Sequence, residues 1–148
     1  MAAIQFKDLP NHVGHEAASD WLLIDQDRVN KFAEATGDFQ WIHVDVERAT
    51  REMGGTIVHG YLTVSLIPHL GAGLLPLEGV TRALNYGSDK VRFTNMVKVG
   101  KRVRLRQKLL SVEEKAGGLQ LKNLCTIEIE GEDRPACIAE TILVFYGA

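Results

Sequence analysis

Gly60-Tyr-Leu-Thr-Val-Ser-Leu-Ile-Pro-His-Leu-Gly-Ala-Gly-Leu-Leu75 decides the fold. Tyr61, Leu62, Val64, Leu66, Ile67, Leu70, Leu74 and Leu75 leave little polar face on a helix of this length. A helix that is apolar nearly all round is buried on most sides. The stretch therefore predicts one long central helix over 60–75. Pro68 lacks a backbone N–H and is the place where that helix should bend or end.

Downstream the hydrophobic period changes from helical to two. Val103, Leu105, Gln107 and Leu109 alternate with Arg102, Arg104, Arg106 and Lys108. Leu119, Leu121, Asn123, Cys125, Ile127 and Ile129 alternate with a mostly polar set that becomes acidic towards Glu130. Such alternation marks strands with one buried and one wet face. A basic outer face on one strand and an acidic one on the next suit cross-strand pairing. Ala116-Gly117-Gly118 and the segment Gly131 to Pro135 are hairpin turns. Ala136 to Tyr146 is apolar on both faces, as for a strand covered on both sides. Asn85-Tyr86-Gly87 interrupts the run from Val80 to Phe93 and predicts a bulge. The sum is an α+β chain, an antiparallel sheet wrapped on a buried helix.

Upstream, two short amphipathic helices are expected. Asp25 caps the first, with Ile24 and Val29 as a hydrophobic staple. Gly37 ends it in a left-handed conformation. Asp45 caps the second, which ends at Gly54-Gly55. The loop Asp38-Phe-Gln-Trp-Ile-His43-Val44 bridges the two helices and is held from both ends. It carries a carboxylate and an imidazole five positions apart.

The 148 residues fit one domain, 1–148. A hydrophobic share of 45%, a charged share of 24% and a net charge of -2 are those of a soluble globular chain. They exclude the basic excess usual in nucleic-acid binders. Cys125 and Cys137 have no zinc spacing and sit in strand-like runs, so buried reduced thiols are expected, as in a cytoplasmic protein. The first residues lack the apolar core of a secretory leader. No apolar run reaches the ~20 residues of a membrane span.

Histidine changes charge near neutral pH, and a neighbouring carboxylate holds water or orients the ring. Spacing alone leaves blander uses open. Asp38 is placed to bind local backbone amides, and His43 to pack against a carbonyl. Gly60 opens the central helix, where backbone N–H groups lack intrahelical acceptors and favour developing negative charge. It equally provides simple packing room. For His59 a structural place at the helix entrance is the preferred use.

Phe32-Ala-Glu-Ala-Thr-Gly-Asp38-Phe-Gln-Trp-Ile-His43-Val-Asp45, taken with Ile57-Val-His59-Gly60-Tyr-Leu62, resembles the MaoC-like dehydratases, which include the R-specific enoyl-CoA hydratases. Gln-Trp-Ile-His, where other hydratases have Asn-Pro before Ile/Leu-His, resembles the nodulation-protein-N-like subgroup. The stretches from Leu84 to Phe93 and from Val97 to Val103 do so too. The resemblance covers roughly residues 15 to 146, nearly the whole chain.

It implies a single hotdog domain, a homodimer, and an acyl tunnel near the subunit interface. It implies Asp38 and His43 as the catalytic pair and the Gly60 amide as donor to a thioester oxygen. The substrate would be an acyl-CoA or acyl-carrier-protein thioester, and no metal or redox cofactor is needed. The reaction would be hydration of a trans-2-enoyl thioester to the R-3-hydroxyacyl thioester, or its reverse. Asn85 and Tyr86 are candidates for tunnel lining. Some R-hydratases carry a helical serine where this chain has Pro68, so Ser65 stays outside the catalytic set. Two rival readings stand beside it. A hotdog thioesterase typically carries a carboxylate on or near the central helix, and 60–75 has none. A non-catalytic acyl-CoA-binding hotdog has no need of both Asp38 and His43.

Overall fold

The computed structural model describes residues 2–148. Four long strands form most of one antiparallel sheet: β5 (Val80–Arg92), β6 (Arg102–Lys115), β7 (Gly118–Ile129) and β8 (Cys137–Gly147). With the short β2 (Glu16–Ala18) the sheet order is β2-β6-β7-β8-β5, and β3 (Leu22–Leu23) also pairs with β6. A separate parallel pair joins β1 (Ile4–Gln5) to β4 (Leu77–Glu78). The alternation read from the sequence is what the sheet buries. Val103, Leu105 and Leu109 of β6 and all six odd-numbered positions from Leu119 to Ile129 on β7 face inward. Across the outer face Arg104 Nε reaches Glu128 Oε1 at 2.8 Å, the expected basic-to-acidic pairing. Solvent-facing, half-exposed ion pairs of this kind contribute about 0–1 kcal/mol. Each fully buried Leu or Ile contributes about 1.5–3 kcal/mol, so the apolar rows hold the sheet.

Both hairpin turns form as expected, with Ala116 and Gly117 at φ 51° and 82° and Gly131 at 81°. The bulge also forms: pairing of β5 with β8 slips between Asn85 and Gly87, leaving Tyr86 without a partner. The outer face of β8 is only partly covered: Val144 is buried, while Ile138, Glu140, Ile142 and Tyr146 are half-exposed.

The central helix differs from the expected 60–75. It runs as α4 (Gly60–Ser65) and α5 (Ile67–Gly71), with Leu66 at the break. Proline cannot donate the bond that residue 68 would make to the Val64 carbonyl, so the ladder is interrupted one turn before Pro68. Gly71-Ala-Gly73 then ends the helix, and Gly73 takes φ 81°. Leu62, Leu66, Ile67 and Leu70 face the sheet and join its core. Tyr61, on the other side, is 73% exposed, so the helix is covered on one side only within this chain. Leu75 leaves the main core and packs in a second cluster with Phe6, Leu9 and Leu121.

The upstream helices follow their sequence signals. In α1 (Gln26–Thr36) the Asp25 carboxylate accepts from Arg28 N–H at 2.9 Å, and Gly37 closes the helix at φ 83°. In α3 (Val46–Met53) Asp45 accepts from Arg48 N–H at 3.0 Å, and Gly54 closes it at φ 79°. The segment between them is more ordered than a loop. Trp41–Val44 forms one helical turn, α2.

Both thiols are free and buried. Burial pushes Cys137 up to about 11, with added repulsion from a charged Cys125, and raises Cys125 against a smaller opposing contact from Thr141. A raised thiol stays protonated at pH 8, and the thiolate is the reactive form. Iodoacetamide at pH 8 is therefore expected to leave the native protein unmodified and to label both cysteines in denaturant. Native labelling within minutes would contradict this.

Candidate active site

Three segments meet at the N-terminal end of α4. Asp38 arrives on the turn after Gly37, His43 on α2, and His59 and Gly60 at the entrance of α4. Each is held by contacts that follow from its local chemistry.

His43 is 7% exposed. Its Nδ1 lies 2.7 Å from the Ile57 carbonyl. A carbonyl only accepts, so Nδ1 carries the hydrogen and Nε2 is left as the basic nitrogen. The main chain of His43 is also fixed. Gln26 donates from Nε2 to the His43 carbonyl at 2.8 Å, and its Oε1 accepts from Thr56 Oγ1 at 2.6 Å. The Arg48 guanidinium lies 3.9 Å from the centre of the Trp41 ring and ties α2 to α3.

Asp38 is exposed. Its Oδ1 accepts from Gln40 N–H at 3.3 Å, which is a turn of the kind Asp makes with its own backbone. Both bland uses left open by spacing are thus realised, and neither consumes the chemistry. The Asp38 carboxylate keeps its other oxygen, and His43 keeps Nε2.

His59 is 2% exposed and binds the two together. Its Nε2–H donates to the Asp38 carbonyl at 3.1 Å. Its ring stacks on His43 with centres 3.9 Å apart and planes 24° apart, and Phe32 packs on it at 4.8 Å. Its Nδ1 is buried without a hydrogen-bond partner among the described residues. The structural place expected for His59 holds, and what it structures is the site.

Donor atoms of Asp38, His43 and His59 all lie within 4.8 Å of one another. This is the one group of three such side chains close enough to surround a cation among the described residues. One nitrogen of each ring already serves a carbonyl, which leaves one nitrogen on each ring beside the Asp38 carboxylate.

Gly60 is the first residue of α4, so its N–H has no acceptor within the helix. A Cβ there would lie 3.2 Å from the Phe93 ring. His43, Gly60, Thr63, Phe93 and Arg134 line a cavity of about 410 Å³. Asp38, which is exposed, does not line it. A larger cavity of about 690 Å³ lies between the central helix and the sheet, bounded by Val64, Ile67, Pro68, Gly71 and Phe145 among others. Asn85 lines this second cavity. Tyr86 does not: it points to the opposite face of the strand, is 65% exposed and lies under Lys115. Neighbouring Thr63 and Val64 line one cavity each, so α4 is the wall between them.

Gln26 and Thr56 carried no sequence signal, because they act on His43 from 17 and 13 residues away through contacts that only the fold creates. His59 is legible in the sequence as a structural histidine at the helix entrance, but its contacts with Asp38 and His43 are not.

Fold and site together define a hotdog protein of the hydratase and dehydratase class. The chain belongs to the MaoC-like family, since residues 9–127 match the family described as MaoC like domain. It is 49% identical over 127 residues to 3-hydroxyacyl-thioester dehydratase Z of Mycobacterium tuberculosis, covering 84% of each chain. It is 40% identical over 149 residues to Nodulation protein N of Rhizobium leguminosarum bv. viciae, covering 97% of this chain and 92% of that one. Among solved structures it is similar to the (R)-hydratase from A. caviae, with a TM-score of 0.71, 26% identity, and coverage of 88% and 94%. It also shares its fold with R-hydratase PhaJ1 from Pseudomonas aeruginosa, with a TM-score of 0.74, 23% identity, and coverage of 92% and 83%.

Proposed function

We propose that this chain is a single-domain R-specific enoyl-thioester hydratase, equally a 3-hydroxyacyl-thioester dehydratase, acting through Asp38, His43 and the Gly60 amide. The observation that carries the reading is the convergence of the Asp38 and His43 donor atoms within 4.8 Å beside a free helix-start amide. Its support from outside the chain is the 49% identity to a 3-hydroxyacyl-thioester dehydratase.

In this reading the thioester oxygen accepts from Gly60 N–H. A water held between the Asp38 carboxylate and His43 Nε2 loses a proton to the pair as its oxygen attacks C3. The C2–C3 π electrons move towards the thioester, and the developing oxygen charge faces the Gly60 amide. Return of a proton to C2 restores the thioester and leaves the R-3-hydroxyacyl product. Asp38 and His43 act together on that water. The acyl chain runs along α4 into the larger cavity, past Asn85. Tyr86 lies outside that path and belongs to the exposed β5 face, which a second copy would cover in a homodimer. The carrier is CoA or acyl carrier protein, and the protein works in the cytoplasm. No helix among the described residues is long and apolar enough to cross a membrane.

Crotonyl-CoA tests this directly. Loss of the conjugated enoyl absorbance without release of free thiol is the expected result. Release of free CoA would favour a thioesterase, and tight binding without turnover would favour a binding protein.

His59 carries its own prediction as a positioning residue. His59→Phe keeps the stack but drops the hydrogen bond to Asp38, and is expected to lower kcat about tenfold with KM little changed. His59→Gln, which retains a donor near Nε2, should recover part of that loss. Equal losses in kcat and in Tm for both variants would make the role purely structural.

A further inference from the structure

The inward face of β7 reads Leu119, Leu121, Asn123, Cys125, Ile127, Ile129, and one of these six is an amide. Asn123 is 2% exposed, and its Oδ1 has no hydrogen-bond partner among the described residues. An amide left unpaired in a core is unfavourable, and such groups are uncommon in folded proteins. Asn123 is not isolated. Sheet register places it opposite Thr141 of β8, and Thr141 opposite Ser88 of β5. All three line the 690 Å³ cavity beside the central helix. Gln107 of β6 joins them. Its Oε1 would lie 3.3 Å from a Cβ on Gly71, so its amide is brought against the helix where that helix carries no side chain. A polar row thus crosses the sheet face, from buried Asn123 through half-buried Thr141, whose Oγ1 also lies 3.5 Å from Cys125 Sγ, to exposed Ser88, along a cavity otherwise walled by Val64, Ile67, Leu121, Leu143 and Phe145.

A cavity meant for a plain hydrocarbon tail gains nothing from such a row, since each amide and hydroxyl loses water when the tail enters. A tail with its own hydroxyl or amide at that depth would meet the row and leave no group unpaired. Sites built to bond a substrate polar group discriminate strongly against the analogue lacking it. We infer that this enzyme selects acyl thioesters whose chain carries a hydrogen-bonding group beyond the reacting carbons, with Asn123, Thr141 and Ser88 as the selecting row. The inference rests on the hydratase reading for the direction of the acyl chain.

Calorimetric binding of octanoyl-CoA and of its 5-, 6-, 7- and 8-hydroxy isomers tests it, with crotonyl-CoA hydration measured in parallel. At least one hydroxy isomer is expected to bind about tenfold more tightly than octanoyl-CoA, a difference of about 1.4 kcal/mol. Asn123→Leu, close in volume and suited to the core, should fold with an equal or higher Tm and reverse that preference. Thr141→Val should reduce the preference at nearly constant shape. Crotonyl-CoA hydration is followed with the wild type, as the check on the hydratase reading. Octanoyl-CoA binding to the wild type as tightly as every hydroxy isomer would overturn the inference and assign the row to bound water. Absence of crotonyl-CoA hydration would instead count against the hydratase reading, and the binding preference would still be read independently.

Discussion

Asp38→Asn is expected to lower kcat for crotonyl-CoA hydration by about 10²–10⁴-fold, the range of a lost general acid or base. The substitution is nearly isosteric, and the amide oxygen can still accept from Gln40 N–H, as Oδ1 does now. Tm should therefore stay within a few degrees. His43→Asn should cost as much, since it keeps a donor for the Ile57 carbonyl but removes Nε2. The double variant should be little worse than either single one, because residues that act as a unit are strongly non-additive. Rates measured beside thermal melts check all three expectations. A loss in proportion to unfolding, or additive losses, would place the two residues outside a common step.

The next largest effect is expected at Gly60. Its Cα faces the Phe93 ring so closely that even a methyl group would sit 3.2 Å from it. Phe93 is a half-exposed side chain and can move, so Gly60→Val should fold. The branched side chain would then occupy the space where the thioester must approach the amide. Misplacement of a substrate by about 1 Å can cost about a hundredfold, and kcat/KM should fall by at least that much. Gly60→Ala should fall between wild type and Val. Steady-state kinetics on the pair would expose the opposite case, in which Val is tolerated and the amide does not contact the substrate.

The parts of the fold set by short-range chemistry were legible in the sequence. Asp25, Gly37, Asp45 and Gly54 marked helix ends by capping chemistry, and all four act as caps. The period-two rows of β6 and β7 marked their buried faces, and the slip at Asn85 to Gly87 marked the bulge. The length of the central helix was harder to read. Its apolar run continues to Leu75, but a missing N–H at Pro68 and two glycines outweigh hydropathy. Trp41–Val44 was hidden because a single helical turn leaves no periodic pattern. Within the site, Asp38, His43 and Gly60 were legible as residue types. Their meeting depended on contacts made across the fold, above all Gln26 with His43 and His59 with Asp38. Tyr86 was read as a neighbour of Asn85 in sequence, whereas adjacent strand residues point to opposite faces. Only Asn85 reaches the cavity.

The most direct test of the central claim is the configuration at C3 of the product formed from crotonyl-CoA, measured for wild type and Asp38→Asn at equal protein concentration. Water held by Asp38 and His43 on one face of the enoyl group predicts R-3-hydroxybutyryl-CoA from the wild type and almost none from the variant. An S product, or an R product formed equally well without the Asp38 carboxylate, would contradict it.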